Sequence, residues 1–145
     1  MNERPSITLL RQAGWAPGRD VDNSEDLRSL AEAGVEVFPA AASFLREYSG
    51  ISMQWKRSSG FPDEMRFSAA RVLESFDPRW VASYADRAKT ALVPVGEASN
   101  GYLVLLLGMD GHWFGGFDDA FGELGGDVLT CIDRLVTENK FMREL

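Results

Sequence analysis

Between Leu92 and Phe117 two apolar runs are punctuated by Asn100-Gly101 and Asp110-Gly111, and this pattern constrains the fold more than any other stretch of the chain. Asn-Gly and Asp-Gly tolerate positive φ at both central residues of a type I′ turn, whose twist matches the strands it joins. The spacing therefore predicts a three-stranded antiparallel meander over residues 92–117. Its middle strand is apolar on both alternating sets, Tyr102, Val104 and Leu106 against Leu103, Leu105 and Leu107. A half-exposed strand would alternate with polar residues, so this one is expected at the buried centre of a sheet. With Asp110-Gly111 as a two-residue loop, Met109 pairs with His112, Trp113 covers Gly108 and Phe114 faces Leu107. Pairing of Phe114 with Leu106 would refute that register.

The flanking sequence supplies helices and a second hairpin. Pro5 to Gly14, Asp22 to Gly34 and Pro39 to Gly50 each open on a helix-starting residue and end on glycine, which turns left-handed to stop a helix. Asp22 and Glu25 are spaced for a capping box. Alternation in Ile51–Lys56 and Met65–Ser68 predicts a hairpin over residues 51–68 with one wet face. A helical run from Ala69 to Phe76 and a restart at Asp77-Pro78 follow. Residues 118–126 hold too much glycine and acid for a definite element and read as a loop. Asp127 then caps a helix with the stripe Val128, Cys131, Ile132, Leu135 and Met142. With no internal repeat or linker, residues 1–145 are expected to form a single α+β domain, a mainly antiparallel sheet packed by several helices.

Charge and cysteine content narrow the function classes. Fifteen basic and 22 acidic side chains leave a net charge of −7, which opposes direct binding to nucleic acid and favours basic partners. One cysteine excludes an internal disulfide framework and suits a reducing compartment. The start, Met1-Asn2-Glu3-Arg4-Pro5, lacks the features of a secretory signal, and no apolar run reaches the length of a membrane span. A cytoplasmic location away from membranes is the expectation.

No constellation points to catalysis. Cys131 sits on an apolar stripe, where free cysteine is ordinarily a buried hydrophobe, and His112 is the single histidine. Asp110, His112, Asp118 and Asp119 match neither the imidazole and thiolate sets of zinc nor a calcium loop. Paired glycines in the chain lack the strand-to-helix setting of a phosphate cradle and read as stops and turns. No catalytic residue, cofactor or metal is expected. The feature carried forward is acidic and aromatic: residues 110–127 hold five carboxylates, no Lys or Arg, and Trp113, Phe114, Phe117 and Phe121. Such a mixture suits a basic protein partner, charge steering the encounter and aromatic anchors holding it. Asp110, Trp113, Asp118, Asp119, Phe121 and Glu123 are the expected contact residues, with the Asp110-Gly111 turn and the acidic loop forming one docking end. The competing reading places the aromatics in the core and leaves the acids merely solvated.

Four motifs in order, Gly14-Trp15-Ala16-Pro17-Gly18-Arg19, Phe44-Leu45-Arg46-Glu47-Tyr48-Ser49-Gly50-Ile51, Leu92-Val93-Pro94-Val95-Gly96-Glu97 and Met109-Asp110-Gly111-His112-Trp113-Phe114, resemble the SUKH superfamily of bacterial immunity proteins, its third subfamily most closely. The resemblance spans about residues 9 to 136. It departs at Ser49-Gly50, where a double glycine is expected, and at the bulky Trp113-Phe114. It implies a non-enzymatic α+β domain encoded beside a polymorphic toxin, which binds and blocks a cognate toxin domain, often a nuclease or a deaminase. The family has no fixed binding motif, so the resemblance transfers no contact residues. A regulatory or scaffolding domain with an endogenous partner is the alternative it leaves, and a small hydrolase or nucleotide binder is disfavoured by the lack of a base.

Overall fold

The antiparallel meander extends beyond both ends of the stretch that predicted it. A computed structural model, which describes residues 3–145, joins seven strands into one sheet in strict sequence order. The strands are β1 (Ser52–Lys56), β2 (Pro62–Phe67), β3 (Leu92–Ala98), β4 (Leu103–Gly108), β5 (Trp113–Phe117), β6 (Ala120–Gly125) and β7 (Arg143–Glu144). The helices are α1 (Pro5–Gln12), α2 (Ser24–Glu32), α3 (Pro39–Tyr48), α4 (Ala69–Val72), α5 (Trp80–Ala88) and α6 (Val128–Thr137). Met1 and Asn2, part of the N-terminal reading, lie outside the described residues.

The doubly apolar β4 is central because helices cover both faces of the sheet. Leu105 and Leu107 join Trp113, Leu124, Val93, Val95 and Phe67 in the larger core, closed by Leu10 of α1, Leu30 of α2, Leu45 and Tyr48 of α3, and Cys131, Ile132 and Leu135 of α6. Val104 and Leu106 face the other way, with Phe114 and Phe121, against Val72 of α4 and Tyr84 of α5. Cys131 is therefore a core side chain, fully buried, and burial pushes its thiol well above the usual range.

Two of the four motifs clasp each other. The Trp15 indole N–H donates to Glu47 Oε2 at 2.9 Å, and the ring stacks on Tyr48. Arg19 donates to the carbonyls of Glu47 at 2.6 Å and Ser49 at 2.9 Å, satisfying acceptors that the end of α3 leaves free. From Tyr48 an aromatic chain runs through Phe44 and Phe67 to Trp113. These motifs thus build the frame. At the same corner the buried Asp26 accepts from Ser49 Oγ, from Ser68 Oγ and from the Ala70 amide at 2.8 Å, tying α2 to the ends of α3 and β2.

Several local expectations need correction. Phe114 pairs with Leu106, and Leu107 with Trp113, so the proposed register is wrong. The β4–β5 loop has three residues: the Gly111 amide closes a turn onto Gly108 O at 2.9 Å, Gly111 itself is left-handed at φ 90°, and Gly108 pairs with His112. A type I turn with a left-handed glycine after it uses the same Asp-Gly as a type I′ turn but adds one residue, which exchanges the faces. Phe114, not Trp113, lies over Gly108. Asn100-Gly101 does take positive φ at both residues, but Tyr102 falls in the turn and is 71% exposed. Residues 120–125 form β6 rather than a loop. Asp22 accepts from Ser24, so the capping box with Glu25 does not form. The α-helix from Ala69 stops at Val72, and α6 stops at Thr137, leaving Met142 off its stripe and exposed. Gly96, Gly115 and Gly116 lie inside strands, where their missing side chains admit neighbours; they are not turns.

Candidate partner-binding surface

In an antiparallel meander alternate turns share an end of the sheet, so the β1–β2, β3–β4 and β5–β6 connections lie together and the β4–β5 loop lies opposite. Contacts tie the first group: Asn100 Nδ2 donates to Pro62 O at 3.2 Å, and the Tyr102 and Phe117 rings meet edge to face at 6.4 Å. Each of these turns carries an aromatic residue held out of the core, Phe61 at 55% exposure, Tyr102 at 71% and Phe117 at 49%. Among the described residues the other large exposed apolar side chains are Met109 and Met142. Large apolar side chains gathered at one end, on turns that a sheet holds still, are the composition of a contact patch.

Tyr102 and Phe117 form a ridge between two hollows. On the α6 side a pocket of about 420 Å³ is lined by Leu103, Leu124, Leu135 and Phe141 as well as the ridge itself. On the α4–α5 side a smaller one, about 220 Å³, is lined by Phe76, Asp77, Trp80, Glu97 and Asp118 together with the ridge.

The turn that carries Phe117 is fixed from below. Gly116 lets the Tyr84 ring lie against β5, and the Tyr84 hydroxyl donates to Asp118 O at 2.5 Å. Burial, reinforced by the Asp118 charge, pushes that hydroxyl up to about 12, so it stays protonated and remains a donor. Arg87 donates to Asp119 O at 2.7 Å while its guanidinium lies over Phe121. Asp118 takes φ 51°, a left-handed position that aspartate tolerates better than most residues.

Of the residues expected to make contact, the structure brings only Asp118 and Asp119 to this end, both exposed. Asp110 sits at the opposite end, accepting from the His112 amide at 3.0 Å and approaching its ring nitrogen at 3.2 Å. Trp113 and Phe121, 2% and 1% exposed, are buried in different cores on opposite faces of the sheet and are not surface anchors. Glu123 is half-buried on β6 and pairs with Arg143 at 3.2 Å. Asp127 is occupied as the cap of α6, accepting from the Thr130 amide at 2.7 Å. The acids that crowd residues 110–127 are therefore dispersed, and the single docking end drawn through Asp110, Trp113 and the acidic loop does not exist. Sequence reading missed Phe61 and placed Tyr102 inside. Both stand immediately after a turn glycine, Gly60 and Gly101, and that adjacency is the signal that would have found them.

His112 is exposed on its turn and Cys131 is buried, and neither lines the two hollows. Among the described residues no group of three His, Cys, Asp or Glu is placed to hold a metal, and no helix is long and apolar enough to cross a membrane.

A family model described as SUKH-3 immunity protein matches residues 3–138. No curated protein and no solved structure matches.

Proposed function

Because this chain belongs to the SUKH-3 immunity protein family, we propose that it works in the cytoplasm by stoichiometric binding, covering the working surface of a cognate toxin domain without catalysing a reaction. The observation that carries the choice of surface is the row of exposed aromatics, Phe61, Tyr102 and Phe117, on turns at one end of the sheet. Aromatic anchors supply much of the energy of a typical interface, and a rigid scaffold keeps the cost of ordering them low. The net charge of −7 suits a basic toxin, and a nuclease or a deaminase with a nucleic-acid groove fits that chemistry, carboxylates standing where phosphates would bind.

Co-expression with the cognate toxin domain, which the family resemblance implies is encoded beside this chain, tests this reading. Growth is expected to be restored, with a one-to-one complex recovered from the cells. Alanine at both Tyr102 and Phe117 is expected to weaken that complex at least about tenfold, the effect of losing even one modest anchor. Met109→Ala, at the far end, should leave affinity unchanged. A wild-type chain that neither protects nor binds would sink the immunity reading, whereas full affinity in the Tyr102 and Phe117 variant would move the docking surface elsewhere.

A further inference from the structure

Resting on that reading, we propose that the smaller hollow, between the Tyr102–Phe117 ridge and the α4–α5 face, receives a basic side chain of the toxin, arginine in particular. Its volume, about 220 Å³, suits one long side chain rather than a loop or a helix. Its lining residues include the aromatic Phe76, Trp80, Tyr102 and Phe117 and three acidic residues from separate parts of the chain, Asp77, Glu97 and Asp118. Aromatic faces and carboxylates around one cavity suit a cation that is also planar, and the guanidinium satisfies both conditions, stacking on a ring while it donates sideways to oxygen.

The state of those carboxylates distinguishes this place from an ordinary acidic surface. Asp77 is already engaged, accepting from Arg79 at 2.8 Å, and that hydrogen bond holds its carboxyl below the usual range. Glu97 differs. Its side chain is only 14% exposed, its nearest cation is Arg71 Nε at 3.8 Å, and among the described residues its carboxylate accepts no hydrogen bond. A mostly buried carboxylate held only by one long ion pair gains from a donor that enters the cavity. The Asp118 side chain likewise accepts none among the described residues, although its backbone carbonyl is held by Tyr84. The cations of this chain near the cavity are engaged elsewhere or turned to solvent: Arg71 and Arg79 are more than half exposed, Arg66, opposite Glu97 on the neighbouring strand, donates to Glu64 at 3.2 Å, and Arg87 is held on Asp119 O. A donor entering from outside would meet the Glu97 and Asp118 carboxylates, and a toxin that grips phosphates carries arginines suited to do so.

The test separates the pocket from the immunity reading. In an amide NMR titration, N-acetyl-arginine methylamide is expected to give saturable shifts at Gly101, Tyr102, Gly116 and Phe117 and at the Trp80 indole, while the neutral citrulline analogue gives none. The double variant Glu97→Gln with Asp118→Asn should lose the response and keep the wild-type melting temperature. With the toxin domain in hand, the same variant should bind at least tenfold more weakly. No saturable shift, or equal shifts with the citrulline analogue, would overturn the pocket. Unchanged toxin affinity of the double variant would also overturn it while leaving the immunity reading intact. If the wild-type chain does not bind the toxin at all, that reading fails alone and the arginine titration still decides the pocket.

Discussion

Gly116 shows how much of this architecture depends on a side chain that is missing. A Cβ there would stand 2.6 Å from Tyr84 Cζ, and Tyr84 cannot retreat without giving up its stacking on Phe121 at 4.7 Å and its hydrogen bond to Asp118. Gly116→Ala is therefore expected to destabilise the protein by about 1–3 kcal/mol, the usual cost of overpacking a core, read as a lower urea midpoint with an unchanged slope. Nothing in the sequence distinguishes this glycine from one in a turn, because what it admits comes from residue 84. Trp113 makes the complementary point. From its neighbours it reads as a surface anchor, yet it closes the aromatic chain of Phe44 and Phe67, so alanine at Trp113 probes the core and not the interface.

Elements whose signals are local were legible. Proline at the start and glycine at the end delimited α1 and α3 to within a few residues, and Asp127 caps α6 as its spacing predicts. The hydrogen bond from Thr130 holds the Asp127 carboxyl below the usual carboxylate range. A group whose folded value is depressed stabilises the fold above its unfolded value, about 3.9, and loses that contribution as the pH falls through the folded value. Asp127→Ala should accordingly cost about 1 kcal/mol at neutral pH, and the gap to wild type should narrow below about pH 4 in urea titrations run at both ends of the range. The β4–β5 hairpin was legible as a hairpin but not in register. Asp-Gly serves both a two-residue and a three-residue loop, and the choice between them was made by packing, which places Leu107 and Trp113 with the larger core and Leu106 and Phe114 with the smaller. β6 was missed because its alternation is carried by glycines and one acid, a pattern that resembles a loop until β5 and β7 pair with it.

For the whole molecule, net charge and the position of the turns act at different ranges. A charge of −7 influences encounter over about 10 Å at ordinary ionic strength, while the ridge of Tyr102 and Phe117 acts only on contact. Association with a basic toxin is therefore expected to slow steeply as salt rises, with the dissociation rate changing much less, in a stopped-flow or surface-binding series. An association rate insensitive to salt would remove electrostatic steering from the mechanism. The candidate site was half legible, in Asp118, Asp119 and the aromatic content of the turns. Its location was not, because residues adjacent in sequence were treated as adjacent in space. Sequence by itself determined the fold class, the limits of α1 and α3 and the buried centre at β4, since each follows from periodicity, caps and turn residues within a few positions of one another, and the order of four motifs carried the resemblance to the family. Only the tertiary structure decided which aromatics are exposed and which acids stand together: in an antiparallel sheet every strand reverses the end reached by the next turn, so neighbours such as Asp110 and Asp118 part, while Phe61, Tyr102 and Phe117 come to the same end and the last two touch.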